Sequence, residues 1–241
     1  MFVRSINDNC MGKQLLLALL FIATLVSGQS NQIFFSESLD AHLPKYIQDA
    51  EVAIRNKQQD RIKVLFQELV DDALIGTYMN DFSAKNLNKN EKSFSDFEKP
   101  VVLLTYSAWC IPSKGELPAL NDLAKQYKKE IDIVVLFWDD HKTVRKATRD
   151  YHRNINVLYV DEKDNSGTHI IKNLKHSLGL PLVFTLNSKK EIINIQRRIA
   201  NKMSVSDAQS YEENHALIRE NITQLLFHQS KIDETIPVAS F

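Results

Sequence analysis

Lys99-Pro100-Val101-Val102-Leu103-Leu104-Thr105-Tyr106-Ser107-Ala108-Trp109-Cys110-Ile111-Pro112-Ser113-Lys114-Gly115-Glu116-Leu117-Pro118-Ala119-Leu120 is the stretch whose reading decides the fold. Residues 101–106 are β-branched, aliphatic and aromatic in an unbroken run after a proline, the pattern of a strand buried on both faces. From Ile111 the period changes towards a helix, and Pro112 suits a first turn, where its missing N–H is not needed. Cys110 is thus predicted where a strand hands over to a helix N-terminus. Unpaired N–H groups and the positive end of the helix dipole favour a thiolate there, and the thiolate is the reactive form.

Trp109-Cys110-Ile111-Pro112-Ser113 followed by Glu116-Leu117-Pro118-Ala119-Leu120 resembles the W-C-x-P-C-x-x-E-x-P-x-L signature of the TlpA/ResA-like thioredoxins. Those are extracytoplasmic thiol–disulfide oxidoreductases of bacteria. The departure is at Ser113, which stands where the family has its second, resolving cysteine. A serine oxygen forms no disulfide, so the two-cysteine cycle cannot close within this motif. The resemblance makes Cys110, Ser113 and Glu116 the catalytic positions. Ser113 would donate a hydrogen bond to the thiolate, and Glu116 would accept a proton or raise the thiol pKa by like-charge repulsion. An exposed helix glutamate is the plain alternative for Glu116, and a packed, inert thiol is the plain alternative for Cys110.

Working outward, Gly76-Thr77-Tyr78-Met79-Asn80-Asp81-Phe82 resembles the approach to the family's N-terminal β-hairpin. Asn-rich residues 85–90 offer a turn with left-handed positions. Ser93-Phe94-Ser95-Asp96-Phe97 stands in place of a short helix. Strands are expected over 131–138, 155–160 and 191–195, and helices over 113–129, 142–153, 168–177 and from 204 onward. Gly179-Leu180-Pro181-Leu182-Val183-Phe184 is the second anchor of the resemblance. It implies that Pro181 is the cis proline facing the reactive cysteine, that Leu180 pairs with an incoming extended peptide, and that Trp109 and Pro112 also meet substrate. The expected architecture is α/β: a thioredoxin-like mixed sheet flanked by helices, with an N-terminal helical extension. Ligands bind such sheets at the carboxyl ends of their strands.

The remaining features set bounds. Lys plus Arg equals Asp plus Glu at 30 each, so no net field selects nucleic acid, and 6 glycines leave no Gly-rich phosphate loop. Lys13 precedes an apolar run over 15–26, and Ser27-Gly28 follow, as in a secretory signal peptide. That run falls short of the about 20 residues a span needs, so membrane attachment is expected only if the segment stays uncleaved. The expected organisation is a signal peptide over 1–28, a helical extension over 29–73 and a thioredoxin-like domain over 74–241. Cleavage would remove Cys10 and leave Cys110 as the sole cysteine of an exported, periplasmic or envelope protein. The seven histidines form no ligand pair, so neither metal nor cofactor is expected. Asp139-Asp140-His141 reads as solvated loop at the active-site edge. Asn221-Ile222-Thr223 matches a glycosylation acceptor only by chance. Two functions fit: thiol–disulfide exchange by a single nucleophilic cysteine with protein thiols and disulfides of the cell envelope, or a redox-silent module that holds extended peptides.

Overall fold

A computed structural model describes residues 32–110, 112–161, 173–197 and 206–235. The segment expected to be a signal peptide, Cys10, Ile111 and the first half of the helix expected over 168–177 lie outside the described residues. Residues 173–177 at the end of that helix form one π-helical turn.

The described sheet has seven strands: β1 (Ser83–Asn86), β2 (Glu91–Ser93), β3 (Val101–Tyr106), β4 (Asp132–Phe137), β5 (Ile155–Tyr159), β6 (Leu182–Leu186) and β7 (Ile192–Arg197). Their order is β2-β1-β5-β4-β3-β6-β7. β3, β4 and β5 run parallel, and β6, β7 and the β1–β2 hairpin run antiparallel to their neighbours. This is the thioredoxin-like mixed sheet the sequence predicts. Every residue of β3 is buried, as its unbroken apolar run requires of a central strand.

Among the described residues five α-helices cover the sheet: α1 (Phe35–Arg55), α2 (Gln59–Leu69), α3 (Glu116–Gln126), α4 (His141–Ala147) and α5 (Asp207–Thr235). On one face α1, α2 and a π-helical turn (Val70–Leu74) set Phe35, Leu39, Phe66, Leu69, Val70 and Leu74 against Leu103, Leu136 and Phe184. Phe35 meets Phe184 edge to face at 5.8 Å. Phe35, Leu39, Val70 and Leu74 are fully buried. At about 1.5–3 kcal/mol per buried side chain, these four contribute roughly 6–12 kcal/mol, as much as a whole domain's net stability. The helical extension is therefore a layer of the core, and the described residues from Ile33 onward form one compact unit. On the other face α3, α4 and α5 pack Leu120, Leu123, Val144, Ile218, Ile222 and Leu225 on Val102, Leu104, Val135 and Phe137.

Several local expectations are corrected. The helix expected over 113–129 begins at Glu116 and ends at Gln126. A start at 112 or 113 would bury Pro118 in the second turn, where the missing N–H and the ring clash cost about 3 kcal/mol. Starting at Glu116 puts Pro118 in the first turn, so it is Pro118, not Pro112, that occupies the tolerated position. The helix expected over 142–153 stops at Ala147, where Thr148 turns its hydroxyl back to the Val144 carbonyl at 2.9 Å. In the hairpin turn the left-handed residue is Lys89, at φ 65°, not an asparagine. Asn86 instead accepts from the N–H groups of Asn88 (2.9 Å) and Asn90 (3.1 Å) through its side chain. The last strand runs Ile192–Arg197 rather than 191–195.

Candidate active site

β3 delivers Cys110 to the carboxyl end of the parallel strands, at the centre of the sheet. Residues 107–110 form a turn closed by the Cys110 N–H donating to the Ser107 carbonyl at 2.9 Å. Cys110 retains 9% exposure and packs with the α3 and α5 core, whereas the neighbouring Trp109 is 67% exposed. Pro112 is exposed and Ser113 half-buried. The β3–β6 register sets Thr105 opposite Leu182. Pro181, immediately before β6, therefore lies beside the end of β3. The Leu180–Pro181 peptide is cis, and Leu180 packs against the core on both faces of the sheet. The strand register thus brings Leu180 and Pro181 to the sheet end that carries Trp109, Cys110 and Pro112.

The electrostatics differ from the sequence expectation in two respects. Cys110 does not sit on a helix N-terminus, because α3 starts only at Glu116. Burial pushes its thiol pKa up; the Ser107 backbone hydrogen bond works against this, and the negative charge of Asp139 adds to the rise. Glu116 is not an exposed helix residue either. It is 8% exposed and accepts a hydrogen bond from the Tyr106 hydroxyl.

Asp139, expected to be solvated loop at the active-site edge, instead bonds the cysteine turn. It follows β4 and is half-buried, and its carboxylate accepts from the Ala108 N–H at 2.7 Å and from the Ser107 hydroxyl at 3.1 Å. The available signal was topological: β4 is parallel to β3 and ends beside it, so the residues just past its end reach the same site. Asp140, by contrast, is an exposed helix cap that accepts from the Thr143 N–H at 3.1 Å.

α5 supplies a second unanticipated set. Asn214 donates its amide to the Ser113 hydroxyl at 2.8 Å and to the Ser210 carbonyl at 2.6 Å. The Ser210 hydroxyl accepts from the Gly115 N–H at 3.1 Å. Ser113 thus spends an acceptor position on the C-terminal helix. Ser210, Asn214, Ile218, Ile222 and Leu225 form one buried stripe, and its two polar members were the legible sign of a polar contact. Asn221, beside that stripe, is buried too and bonds Asn194 and Gln196 at 2.9 Å each, so the folded chain does not present it as a glycosylation acceptor. Among the described residues no group of His, Cys, Asp and Glu could hold a metal ion.

The mixed sheet and a cysteine just past the interior parallel strand β3 define a thioredoxin-like redoxin. The family model for AhpC/TSA matches residues 75–195, half of the sequence, and the chain belongs to the AhpC/TSA family. It is 26% identical over 121 residues to the thioredoxin-like protein YneN of Bacillus subtilis, an alignment spanning 50% of this chain and 69% of that protein. Among solved structures it is similar to the thioredoxin domain of a thiol-disulfide oxidoreductase from Bacteroides vulgatus. That match has 18% identity and a TM-score of 0.46, over 61% of this chain and 96% of the other. A thiol:disulfide interchange protein DsbE from Chlorobium tepidum matches at 19% identity and a TM-score of 0.47, over 63% and 97%.

Proposed function

We propose that this redoxin is exported to the cell envelope and exchanges thiols and disulfides with partner proteins through Cys110 alone. The observation that carries the proposal is Cys110 at the carboxyl end of the central strand, in a chain of a thioredoxin-like family. The Cys110 thiolate attacks one sulfur of a partner's disulfide. A new S–S bond joins Cys110 to the partner, the old S–S bond breaks, and the departing sulfur leaves as a thiolate that takes up a proton. With Ser113 in place of a second thiol, release needs a thiol from outside, which attacks the Cys110 sulfur or the partner sulfur and completes the exchange without net loss of electrons. Trp109, Pro112, Leu180 and Pro181 form the surface on which an extended peptide would rest. Export is inferred from Lys13, the apolar run over 15–26 and Ser27-Gly28. Among the described residues no helix is long and apolar enough to cross a membrane.

The buried, upward-shifted thiol favours a second reading, in which the same groove holds extended peptides with no redox step. One experiment separates the two. The full chain is mixed with a disulfide-bonded protein, quenched in acid and run on a non-reducing gel. Exchange predicts reductant-sensitive adducts that persist, because the intramolecular escape is missing, and that vanish in Cys110→Ala. Absence of a Cys110-dependent adduct while the thiol accepts an alkylating reagent would reject exchange in favour of binding.

A further inference from the structure

We infer that Asp139 is a positioning residue for Cys110: its carboxylate ties down the turn that presents the thiol and restrains the thiol's reactivity. The inference rests on the exchange reading for its purpose but not for its test. Four observations carry it. The turn over 107–110 is short, and two of its polar groups share one acceptor. Asp139 Oδ2 takes both the Ala108 N–H, at 2.7 Å, and the Ser107 hydroxyl, at 3.1 Å. Those bonds to a charged acceptor are of the strong kind. They tie the end of β3 to the end of β4 across the register that pairs Tyr106 with Phe137. Finally, the carboxylate reaches Cys110 electrostatically and disfavours its ionised form.

Tyr106, Glu116, Asp140 and His141, titratable groups at this end of the sheet, have partners of their own. The Tyr106 hydroxyl donates to Glu116, Asp140 caps α4, and His141 places Nε2 2.9 Å from the Leu87 carbonyl with its ring against Tyr159 at 5.4 Å. Asp139 is thus the acidic group that both orients the cysteine turn and opposes its ionisation. The chemical sense is a thiol held in place yet kept mostly protonated. In a protein with no resolving cysteine, that slows futile mixed-disulfide formation with small disulfides.

The test uses the full chain and reads two quantities that need no exchange partner. The first is the pH profile of Cys110 alkylation. Asp139→Asn keeps an oxygen acceptor and removes the charge. Its profile should move down by about half a pH unit, making alkylation at neutral pH roughly threefold faster. The second is hydrogen exchange of the Ala108 amide. It should stay protected in Asp139→Asn and exchange about tenfold faster in Asp139→Ala, which has no acceptor. A profile that is unmoved or shifted upward in Asp139→Asn overturns the inference, and so does an Ala108 amide indifferent to Asp139→Ala. Should neither variant fold, the unsubstituted chain still decides. Its Ala108 amide should be protected from hydrogen exchange, and an amide that exchanges as fast as in an unstructured peptide overturns the inference. Failure of the exchange reading shows separately, as missing gel adducts beside an intact Asp139-dependent profile.

Discussion

Gly115→Ala is the sharpest perturbation available in this structure. Gly115 has φ −84° and ψ −9°, a backbone any residue adopts, so the substitution carries no conformational penalty of its own. What a methyl group would meet is the backbone of α5. An added Cβ would stand 2.0 Å from Tyr211 N, 2.3 Å from Ser210 C and 2.4 Å from Tyr211 Cα. Carbon–carbon contacts are comfortable at about 3.5–4.0 Å, so α5 must retreat by more than an ångström. No side-chain rotamer relieves a clash with backbone. Retreat also stretches the Gly115 N–H bond to Ser210 and the Asn214 bond to Ser113. Overpacking of this kind costs about 1–3 kcal/mol, and each broken hydrogen bond adds about 1 kcal/mol. A total of about 3–5 kcal/mol lowers the Tm of a chain this size by roughly 6–20 °C, at about 2–4 °C per kcal/mol. The assay is thermal unfolding followed by circular dichroism, with Gly179→Ala as comparison. Gly179 lies at φ 82° with open space around it, so that variant pays only for the left-handed backbone, about 1 kcal/mol. A Gly115→Ala protein that melts within about 2 °C of the parent, or above Gly179→Ala, would refute the close approach of α5 to the cysteine loop.

Four further outcomes are expected. Cys110 alkylation should rise only above the ordinary thiol range, because burial disfavours the thiolate; substantial reaction at neutral pH would contradict that. By the same linkage the folded pKa lies above the unfolded one, so the thiol's contribution to stability holds below the ordinary thiol pKa. It is lost as pH rises towards the folded value, and Cys110→Ala should flatten the alkaline fall seen in denaturant titrations. Tyr106→Phe removes the hydroxyl that donates to buried Glu116 and should cost about 1–3 kcal/mol in urea unfolding; a loss under about 0.5 kcal/mol would mean the bond contributes little. Ser113→Cys restores the family's second thiol while removing the oxygen that Asn214 bonds. It should turn over insulin reduction catalytically at a stability cost of about 1 kcal/mol, and equal turnover by the unsubstituted chain would show that Ser113 is no handicap.

The sequence by itself determined the elements that depend on local pattern. The unbroken run at 101–106 could only be a central strand, and the motif after it was enough to reach the family and the mixed α/β sheet. A helical extension over 29–73 was likewise legible, and the structure divides it into α1 and α2. What it misjudged was local competition, as between Pro112 and Pro118 for the first turn of α3, where the later proline wins because an interior proline forfeits a hydrogen bond. Only the tertiary structure decided the chemistry around Cys110. Asp139, Asn214 and Ser210 are remote from it in sequence, and each matters through a contact that depends on how β4 and α5 dock. The sign of the thiol's pKa shift depends on burial and on a charge contributed by another strand. Gly115 makes the point most plainly. Its dihedrals admit any residue, and only the backbone of α5, some 95 residues further along the chain at Ser210, excludes a side chain there.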